Sequence, residues 1–429
     1  MQKTATFSSP DFQQLARRYG RVMGALYNER KIRGRVVRVT RGARHLALGV
    51  RLANPLNLDA ALSLAEPLAL ACRTRAVIVQ RSESSPGLVS YQFELADRYW
   101  LSYTRADLSG LGVGFAEGGR QVNFAFDAAQ PHSLVAGMPG AGKSTAILSI
   151  LAALFSTYRP AELGALVVDP HRDYTDLGNA AHLAGPLAHE PDEIRAALAW
   201  AARELARRKE ANEKAGRWLF VVVDEAKRAL GDLANLALVQ ALAAEGRKYR
   251  LSVVVGCQEL KEGELPGLLG LLPARWIGQV VNARISAHLS GLPGLEAHRL
   301  TGKGDFWHVT GAKAERLQVA QATPADLARL PRVVEVPALE VDPLDDAPPP
   351  AFDPEGQRPP GRPPLEVDPR IVASYLHAGP DAISRNAARD QMGLTRGQHE
   401  LHRDFANEVR AGLDWLAQHS GGVTPQERG

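Results

Sequence analysis

The chain has 429 residues, of which 45% are hydrophobic and 23% charged, and its formal net charge is +4. These values are typical of a globular protein with two or three domains and exclude a chain that is mostly disordered, fibrous or embedded in a membrane. The two cysteines, Cys72 and Cys257, are too few for a disulfide framework and too far apart for a zinc motif. We therefore expect a soluble, cytoplasmic protein without membrane insertion.

The first 120 residues predict a helix followed by a small domain. Residues 1–33 are predicted as a basic helix, because apolar residues recur about every four positions. Those that would share one face are Leu15, Tyr19, Met23 and Tyr27. Residues 34–120 mix alternating, strand-like runs with helical runs, which predicts a small α+β domain.

Residues 121–337 show a different pattern. Short, fully apolar runs alternate with helical stretches rich in alanine and leucine. Fully apolar strands joined by crossover helices are typical of a parallel sheet covered on both faces. This segment therefore predicts a three-layer α/β domain with five strands.

The C-terminal part predicts a linker, a helical module and a tail. Residues 338–369 are rich in proline and acidic residues and predict an extended linker. Residues 370–420 have helix-turn-helix character, and residues 421–429 form a short tail. The recognition helix of such a module would present His399 and His402 outward. The candidate DNA contacts of the module are Arg385, Arg396, Gln398 and Arg403.

The most informative motif runs from Gly137 to Ser144 and fits G-x-x-x-x-G-K-[ST] at every fixed position. An apolar strand precedes it and a helical pattern follows, so we predict a phosphate-binding P-loop for ATP. Lys143 would reach the β- and γ-phosphates, and the Ser144 hydroxyl would bind Mg²⁺. The residues expected at the nucleotide are Gly137, Met138, Pro139, Gly140, Ala141, Gly142, Lys143, Ser144 and Thr145.

Polar residues follow two further apolar strands. Asp224 and Glu225 come directly after one of them, and Gln258 follows the next. At the carboxyl edge of a parallel sheet, Asp224 would hold the magnesium and Glu225 would activate the attacking water. Gln258 would then contact the γ-phosphate and sense hydrolysis. This set predicts an ATP hydrolase.

Several stretches in order resemble the FtsK/SpoIIIE-type DNA translocases of the HerA–FtsK superfamily. Besides the P-loop HSLVAGMPGAGKST, the similar stretches are Val167–Tyr174, Glu245–Gln258, Pro293–Trp307 and the small domain RVTRGARHLALGVRL. The resemblance covers about residues 34–325. Two residues depart from the family's pattern: Cys257 replaces a threonine and His171 replaces a lysine.

The resemblance implies a RecA-like P-loop NTPase core in a hexameric ring that moves double-stranded DNA at the expense of ATP. It also implies an arginine that acts on the neighbouring subunit's nucleotide, for which Arg284 is the first candidate and Arg275 the alternative. Two other functions remain open. One is a protein-secretion ATPase of the same superfamily, and the other is a nucleotide-switched DNA-binding or partition factor.

The charge is unevenly distributed along the chain. Residues 1–120 carry a net charge of +9, residues 121–339 carry +1, and residues 340–368 carry −6. Between Arg17 and Arg51 there are eleven basic residues and a single acidic one. Such clustering favours the DNA backbone as a partner. An anionic membrane surface, a protein partner or a solvated helix face remain alternatives.

Overall fold

The computed structural model describes residues 10–81, 87–261, 263–339 and 369–378. It also describes single positions and short stretches further on, which are 384, 386–388, 394, 399–400, 402–404, 406–407 and 410. The chain divides into two compact units, residues 1–352 and residues 353–429. Most of the predicted linker, residues 340–368, and the predicted tail lie outside the described residues.

The first unit begins with a small four-stranded antiparallel sheet in the order β1-β2-β4-β3. Its elements are α1 (Pro10–Glu29), β1 (Gly34–Arg41), β2 (His45–Leu52), α2 (Leu58–Leu62), α3 (Ala65–Cys72), β3 (Val77–Arg81) and β4 (Leu88–Glu94). Helix α1 packs on this sheet through the predicted apolar face, because Tyr19, Met23 and Tyr27 are buried in one cluster with residues of the sheet. The helix thereby completes the small domain's core.

A nine-stranded mixed sheet forms the rest of the first unit. Its strands lie in the order β6-β5-β13-β12-β11-β7-β10-β9-β8. The elements are β5 (Gly112–Ala116), β6 (Gln121–Asn123), β7 (Ser133–Ala136), α4 (Lys143–Thr157), β8 (Leu163–Val168), α5 (Pro191–Glu210), β9 (Trp218–Val223), α6 (Ala226–Ala229), α7 (Leu233–Glu245), β10 (Leu251–Cys257), β11 (Ala274–Ile277), α8 (Ala283–Ser290), β12 (Asp305–Thr310), β13 (Lys313–Val319) and α9 (Pro324–Leu327).

The five strands β11, β7, β10, β9 and β8 are parallel, which confirms the predicted α/β class. Helix α4 packs on one face of the sheet and helices α5, α7 and α8 on the other. The strand side chains alternate accordingly: Phe220 and Val222 belong to the core beside α4, and Val221 and Val223 to the opposite core. Each parallel strand is thus buried on both faces, as its unbroken apolar sequence predicts.

Four antiparallel strands extend this sheet beyond β11. Strands β12 and β13 form a hairpin, and β5 and β6 pair onto it. The sequence interpretation placed residues 112–116 within the small domain, whereas the structure pairs them with β13. The chain segment that leads to the P-loop therefore also connects the small sheet to the large one. The small domain consequently lies beside the P-loop.

The second unit contains α10 (Pro369–Ala378) and a small core that includes Val372, Tyr375 and Leu394. His399 and His402 are 3% and 1% exposed, and the Tyr375 hydroxyl lies 2.6 Å from His399 Nδ1. The prediction that these two histidines face outward is wrong. Their rings fill the interior that so small a module needs to bury.

Candidate functional site

The P-loop connects β7 to α4 and lines a cavity of about 480 Å³. Gly140 has a φ of +82°, which turns the loop back around this cavity. The first turn of α4 leaves the N–H groups of Lys143, Ser144 and Thr145 without partners inside the helix. A helix N-terminus with such free donors binds phosphate groups well. The loop therefore has the shape and the donors of a phosphate site.

The parallel topology brings the other predicted residues to the same cavity. Strand β10 lies between β7 and β9, so the carboxyl ends of the three strands meet at one edge. Glu225, which follows β9, and Gln258, which follows β10, both line the cavity together with Lys143. Asp224 lies directly behind them and is 1% exposed.

The Lys143 ammonium group is held between two carboxylates. Its Nζ donates to Asp224 Oδ1 and lies 2.9 Å from Glu225 Oε1. Burial alone would lower the pKa of Lys143, but the negative charges of Asp224 and Glu225 outweigh it and raise the pKa. Lys143 is therefore a fixed positive charge at the floor of the cavity.

Glu225 is held in a strained main-chain conformation. Its φ is +47°, in the left-handed region that a residue with a side chain adopts at a free-energy cost of about 1 kcal/mol or more. Gln258 Nε2 donates to Glu225 Oε1 at 3.0 Å, and His171 Nδ1 lies 3.7 Å from the same oxygen. The strain and these contacts aim the carboxylate into the cavity.

Two further residues, Tyr174 and Asp173, contribute to the site although the sequence did not indicate them. The Tyr174 hydroxyl donates to Asp224 Oδ2 at 2.6 Å, and the Ser144 hydroxyl donates to Asp173 Oδ2 at 2.6 Å. Burial and the neighbouring Asp224 charge raise the pKa of Tyr174, so its phenol keeps the proton that it donates. The oxygen atoms of Ser144, Asp173 and Asp224 are the kind of donors that Mg²⁺ prefers. The residues present thus fit a magnesium ion bound together with a nucleotide.

The close approach of the Asp224 carboxylate to β10 explains why position 256 is a glycine. A Cβ atom on Gly256 of β10 would collide with the Asp224 carboxylate and would lie 2.8 Å from Ile147 Cδ1. Gly256 is therefore the residue that lets Asp224 reach Lys143 across the intervening strand.

The two candidate arginines have different environments. Arg275 lies on β11, and its guanidinium donates to the carbonyl oxygens of Leu269, Leu272 and Leu289. Arg284 is exposed near the start of α8. Neither arginine lines the cavity of its own chain. Arg284 is the more exposed of the two, and it stays the first candidate for a contact with a neighbouring subunit.

The candidate DNA contacts of the C-terminal module are only partly described. Arg385, Arg396 and Gln398 lie outside the described residues. Arg403 forms an ion pair of 2.8 Å with Asp404. Its role at DNA stays a prediction.

Several further residues line the cavity without having been predicted. Arg44, Ser102 and Tyr103 come from chain segments that precede the P-loop, and Lys303 comes from the loop before β12. Arg44 and Lys303 lie in stretches that resemble the family, but no motif indicated that these side chains line the nucleotide cavity. Their positions could not be inferred from spacing in the sequence.

The fold and this arrangement define a P-loop ATPase domain. Residues 94–253 match the model of the FtsK/SpoIIIE family. Among curated relatives, the chain is 28% identical over 221 residues to DNA translocase SftA of Bacillus subtilis, covering 44% of this chain and 22% of the relative. It is 27% identical over 199 residues to DNA translocase FtsK of Mycobacterium leprae, covering 43% and 23%. The match therefore spans less than a quarter of the length of either relative.

The solved structures to which the chain is similar include the following two. The cytoplasmic domain of the type VII secretion ATPase EccC of Thermomonospora curvata is 20% identical, with a TM-score of 0.49, and the match covers 55% of this chain and 32% of that one. The pCW3 conjugation coupling protein TcpA is 15% identical, with a TM-score of 0.46, and the match covers 74% and 99%. Within the described part of the chain, no helix combines the length and apolar character needed to cross a bilayer.

Proposed function

We propose that the chain is an ATP-dependent double-stranded DNA translocase. The observation that carries the proposal is the convergence of Lys143, Asp224, Glu225 and Gln258 at one edge of the parallel sheet, beside the P-loop. The curated relatives cited above are named DNA translocases, and this favours DNA over protein as the cargo.

The charges around the P-loop support a hydrolytic rather than a purely binding role. The phosphates of ATP would offer Lys143 new oxygen partners beside the P-loop N–H groups. Glu225 would then be free to accept a proton from a water molecule aligned with the γ-phosphate. Gln258, already hydrogen-bonded to Glu225, would respond to the loss of that phosphate. These steps couple hydrolysis to the ends of two neighbouring strands.

Magnesium belongs to the same proposal. Ser144 and Asp224 would hold it, with Asp224 acting through the ion's water shell, and Asp173 lies close enough to Ser144 to take part. When bound, the ion would neutralise charge that develops on the transferred phosphoryl group.

We further propose a ring of identical subunits, six by resemblance to the family, with the nucleotide between neighbours. Arg284 would complete the adjacent subunit's site, since it is exposed near the start of α8. An arginine contributed by a neighbour stabilises charge in the transition state of phosphoryl transfer. ATP turnover would then depend on assembly of the ring. A cytoplasmic location rests on the sequence alone and stays a prediction.

The N-terminal part of the first unit offers a surface for the DNA backbone. The exposed basic residues on α1, in the segment between α1 and β1 and at the start of β1 include Arg17, Arg21, Arg30, Lys31, Arg33 and Arg35. No ion pair joins any of the six to another described residue. Such unpaired charges release counterions when they bind a phosphate backbone. We call these six residues the basic surface and propose that duplex DNA contacts it.

The proposed function predicts that duplex DNA accelerates ATP hydrolysis by the full chain. Lys143→Ala should abolish hydrolysis, because the phosphates lose their buried positive charge. Glu225→Gln should still bind ATP but hydrolyse it at least about 100-fold more slowly, since the amide cannot take a proton from water. Release of phosphate across a titration of duplex DNA measures both effects.

The basic surface provides a second readout in the same titration. With Arg17→Glu and Arg21→Glu together, more DNA should be needed for half-maximal stimulation, and the difference should shrink as salt is added. Hydrolysis that stays constant over the whole DNA range in the unaltered protein would refute the DNA-driven ATPase.

A further inference from the structure

Arg44 links the small domain to the loop that supports the P-loop. It lies in the turn between β1 and β2 and is 5% exposed. Its Nη1 donates to Thr301 Oγ1 at 3.0 Å and to the Gly302 carbonyl oxygen at 2.8 Å, and its Nη2 donates to the Lys303 carbonyl oxygen at 2.5 Å. One side chain thus holds three consecutive residues of the loop before β12, residues 301–304, which we call the support loop.

The support loop in turn holds the main chain of the P-loop. The N–H of Lys303 donates to the Gly140 carbonyl oxygen at 2.9 Å, and the N–H of Gly304 donates to the Ala141 carbonyl oxygen at 2.7 Å. Gly142 has a φ of +99°, and a Cβ atom placed there would lie 2.7 Å from Gly304 N. The two loops are therefore in main-chain contact, and the support loop fixes which way the P-loop carbonyl groups point.

P-loop carbonyl groups that accept hydrogen bonds within the protein do not present their oxygens to the phosphates, which are bound by N–H groups. Two of the P-loop carbonyl oxygens, those of Gly140 and Ala141, accept hydrogen bonds from the support loop and are therefore directed at that loop. A preformed arrangement of donors binds an anion more tightly than one that must reorganise. The position of the support loop should therefore affect nucleotide affinity directly.

We propose that Arg44 is a positioning residue of the ATP site, contributed by the small domain. It acts through the support loop to keep the P-loop in its phosphate-accepting form. The guanidinium also stacks on Trp100, at 4.4 Å from the ring centre, and its Nε is buried without a hydrogen-bond partner among the described residues. This proposal rests on nucleotide binding at the P-loop, which is part of the proposed function, but it does not depend on DNA.

Other residues already connect the two sheets, so Arg44 is not needed for that purpose alone. Arg316 of β13 donates to Gln92 of β4 at 2.9 Å and forms a buried ion pair with Asp305. Gln92 and His45 both bond Glu117 at 2.9 Å. This network connects the sheets without Arg44, so a change at Arg44 should act on the support loop rather than separate the domains.

The test is the affinity of the full chain for a fluorescent ATP analogue, measured without DNA, together with the KM and kcat of ATP hydrolysis. Lysine keeps the charge but cannot reach three acceptors at once, so Arg44→Lys should weaken binding about fivefold. Arg44→Ala should weaken it about tenfold, the effect of losing roughly one hydrogen bond to a charged group. KM should rise in both variants, while kcat stays within about twofold of the original.

Arg41→Ala is the matched control. Arg41 lies next to the same turn and donates to the Tyr99 carbonyl oxygen at 3.0 Å, without a hydrogen bond to the support loop. It should bind the analogue as the unaltered protein does. Unchanged affinity in a folded Arg44→Lys variant, or an equal loss in Arg41→Ala, would overturn the proposal. Failure of the unaltered protein to bind the analogue would instead refute the nucleotide site, and an absent DNA response would leave the Arg44 result intact.

Discussion

Asp224 is held on both of its carboxylate oxygens. Oδ1 accepts from Lys143 and Oδ2 accepts from the Tyr174 hydroxyl at 2.6 Å, while Gly256 leaves the space that the carboxylate occupies. Tyr174 itself is fully buried, so its hydroxyl has a fixed direction. The orientation of Asp224 therefore depends on a residue that would not touch the nucleotide.

Tyr174→Phe is expected to lower kcat for ATP about tenfold with a smaller change in KM. The substitution removes only the hydroxyl group, so the packing of the ring is kept and the carboxylate loses its hydrogen bond at Oδ2, while Oδ1 keeps those from Lys143 and the Glu225 N–H. Steady-state hydrolysis measured at several magnesium concentrations checks this, because a misplaced Asp224 should also raise the magnesium concentration needed for half-maximal rate. An unchanged kcat and an unchanged magnesium requirement would show that Tyr174 is not needed to position Asp224.

Some residues of the site could be recognised from the sequence immediately around them, and others could not. Lys143, Asp224 and Glu225 could be assigned from the sequence, because a glycine-rich loop or an apolar strand marks each one within a few positions. Tyr174 and Arg44 could not be assigned. Arg44 lies 259 residues before its partner Lys303, and no local pattern encodes a contact of that range.

The hairpin of β12 and β13 carries the support loop and pairs with the central sheet through β11. His308 of β12 stacks on Trp276 of β11, with ring centres 4.1 Å apart. Burial lowers the pKa of His308 to about 4. The folded protein therefore favours the neutral imidazole of His308, which ties the stability of this hairpin to pH.

His308→Phe should make the free energy of unfolding less sensitive to acid. The pKa of an unfolded histidine is about 6.5, so between pH 6.5 and 4 the unfolded chain binds a proton that the folded chain excludes, and stability falls as the pH falls. Phenylalanine keeps the stack and should remove up to about 3 kcal/mol of this loss. Denaturant unfolding at pH 7.5 and pH 4.5 measures it, and an equal loss in both proteins would contradict a neutral, buried His308.

The elements of the central sheet were predictable to different degrees. The five parallel strands could be predicted, because each is buried on both faces and reads as an apolar run. The hairpin and the pairing of β5 with β13 could not, since strands at the antiparallel end show no such run and their partners lie far away in the sequence. For the same reason, the contact of the support loop with the P-loop could not be predicted, although the stretch Pro293–Trp307 that contains the support loop resembles the family.

Within the first unit, the excess positive charge and the ATPase site lie in different regions. Residues 1–120, which include the basic surface, carry a net charge of +9, whereas the ATPase core has a net charge near zero. Arg44 joins the two regions, because it extends from the small sheet to the support loop under the P-loop. This layout suits a motor in which one region contacts DNA and the other turns over ATP.

Displacement of the third strand from a DNA triplex tests translocation most directly. With ATP, the full chain should strip a labelled third strand from a linear duplex, because a motor that moves along the duplex meets the strand as an obstacle. The Lys143→Ala and Glu225→Gln variants should leave the triplex intact, as should the unaltered protein with an ATP analogue that cannot be hydrolysed. Strand release at an equal rate without hydrolysis, or DNA-stimulated hydrolysis without any release, would contradict a DNA translocase.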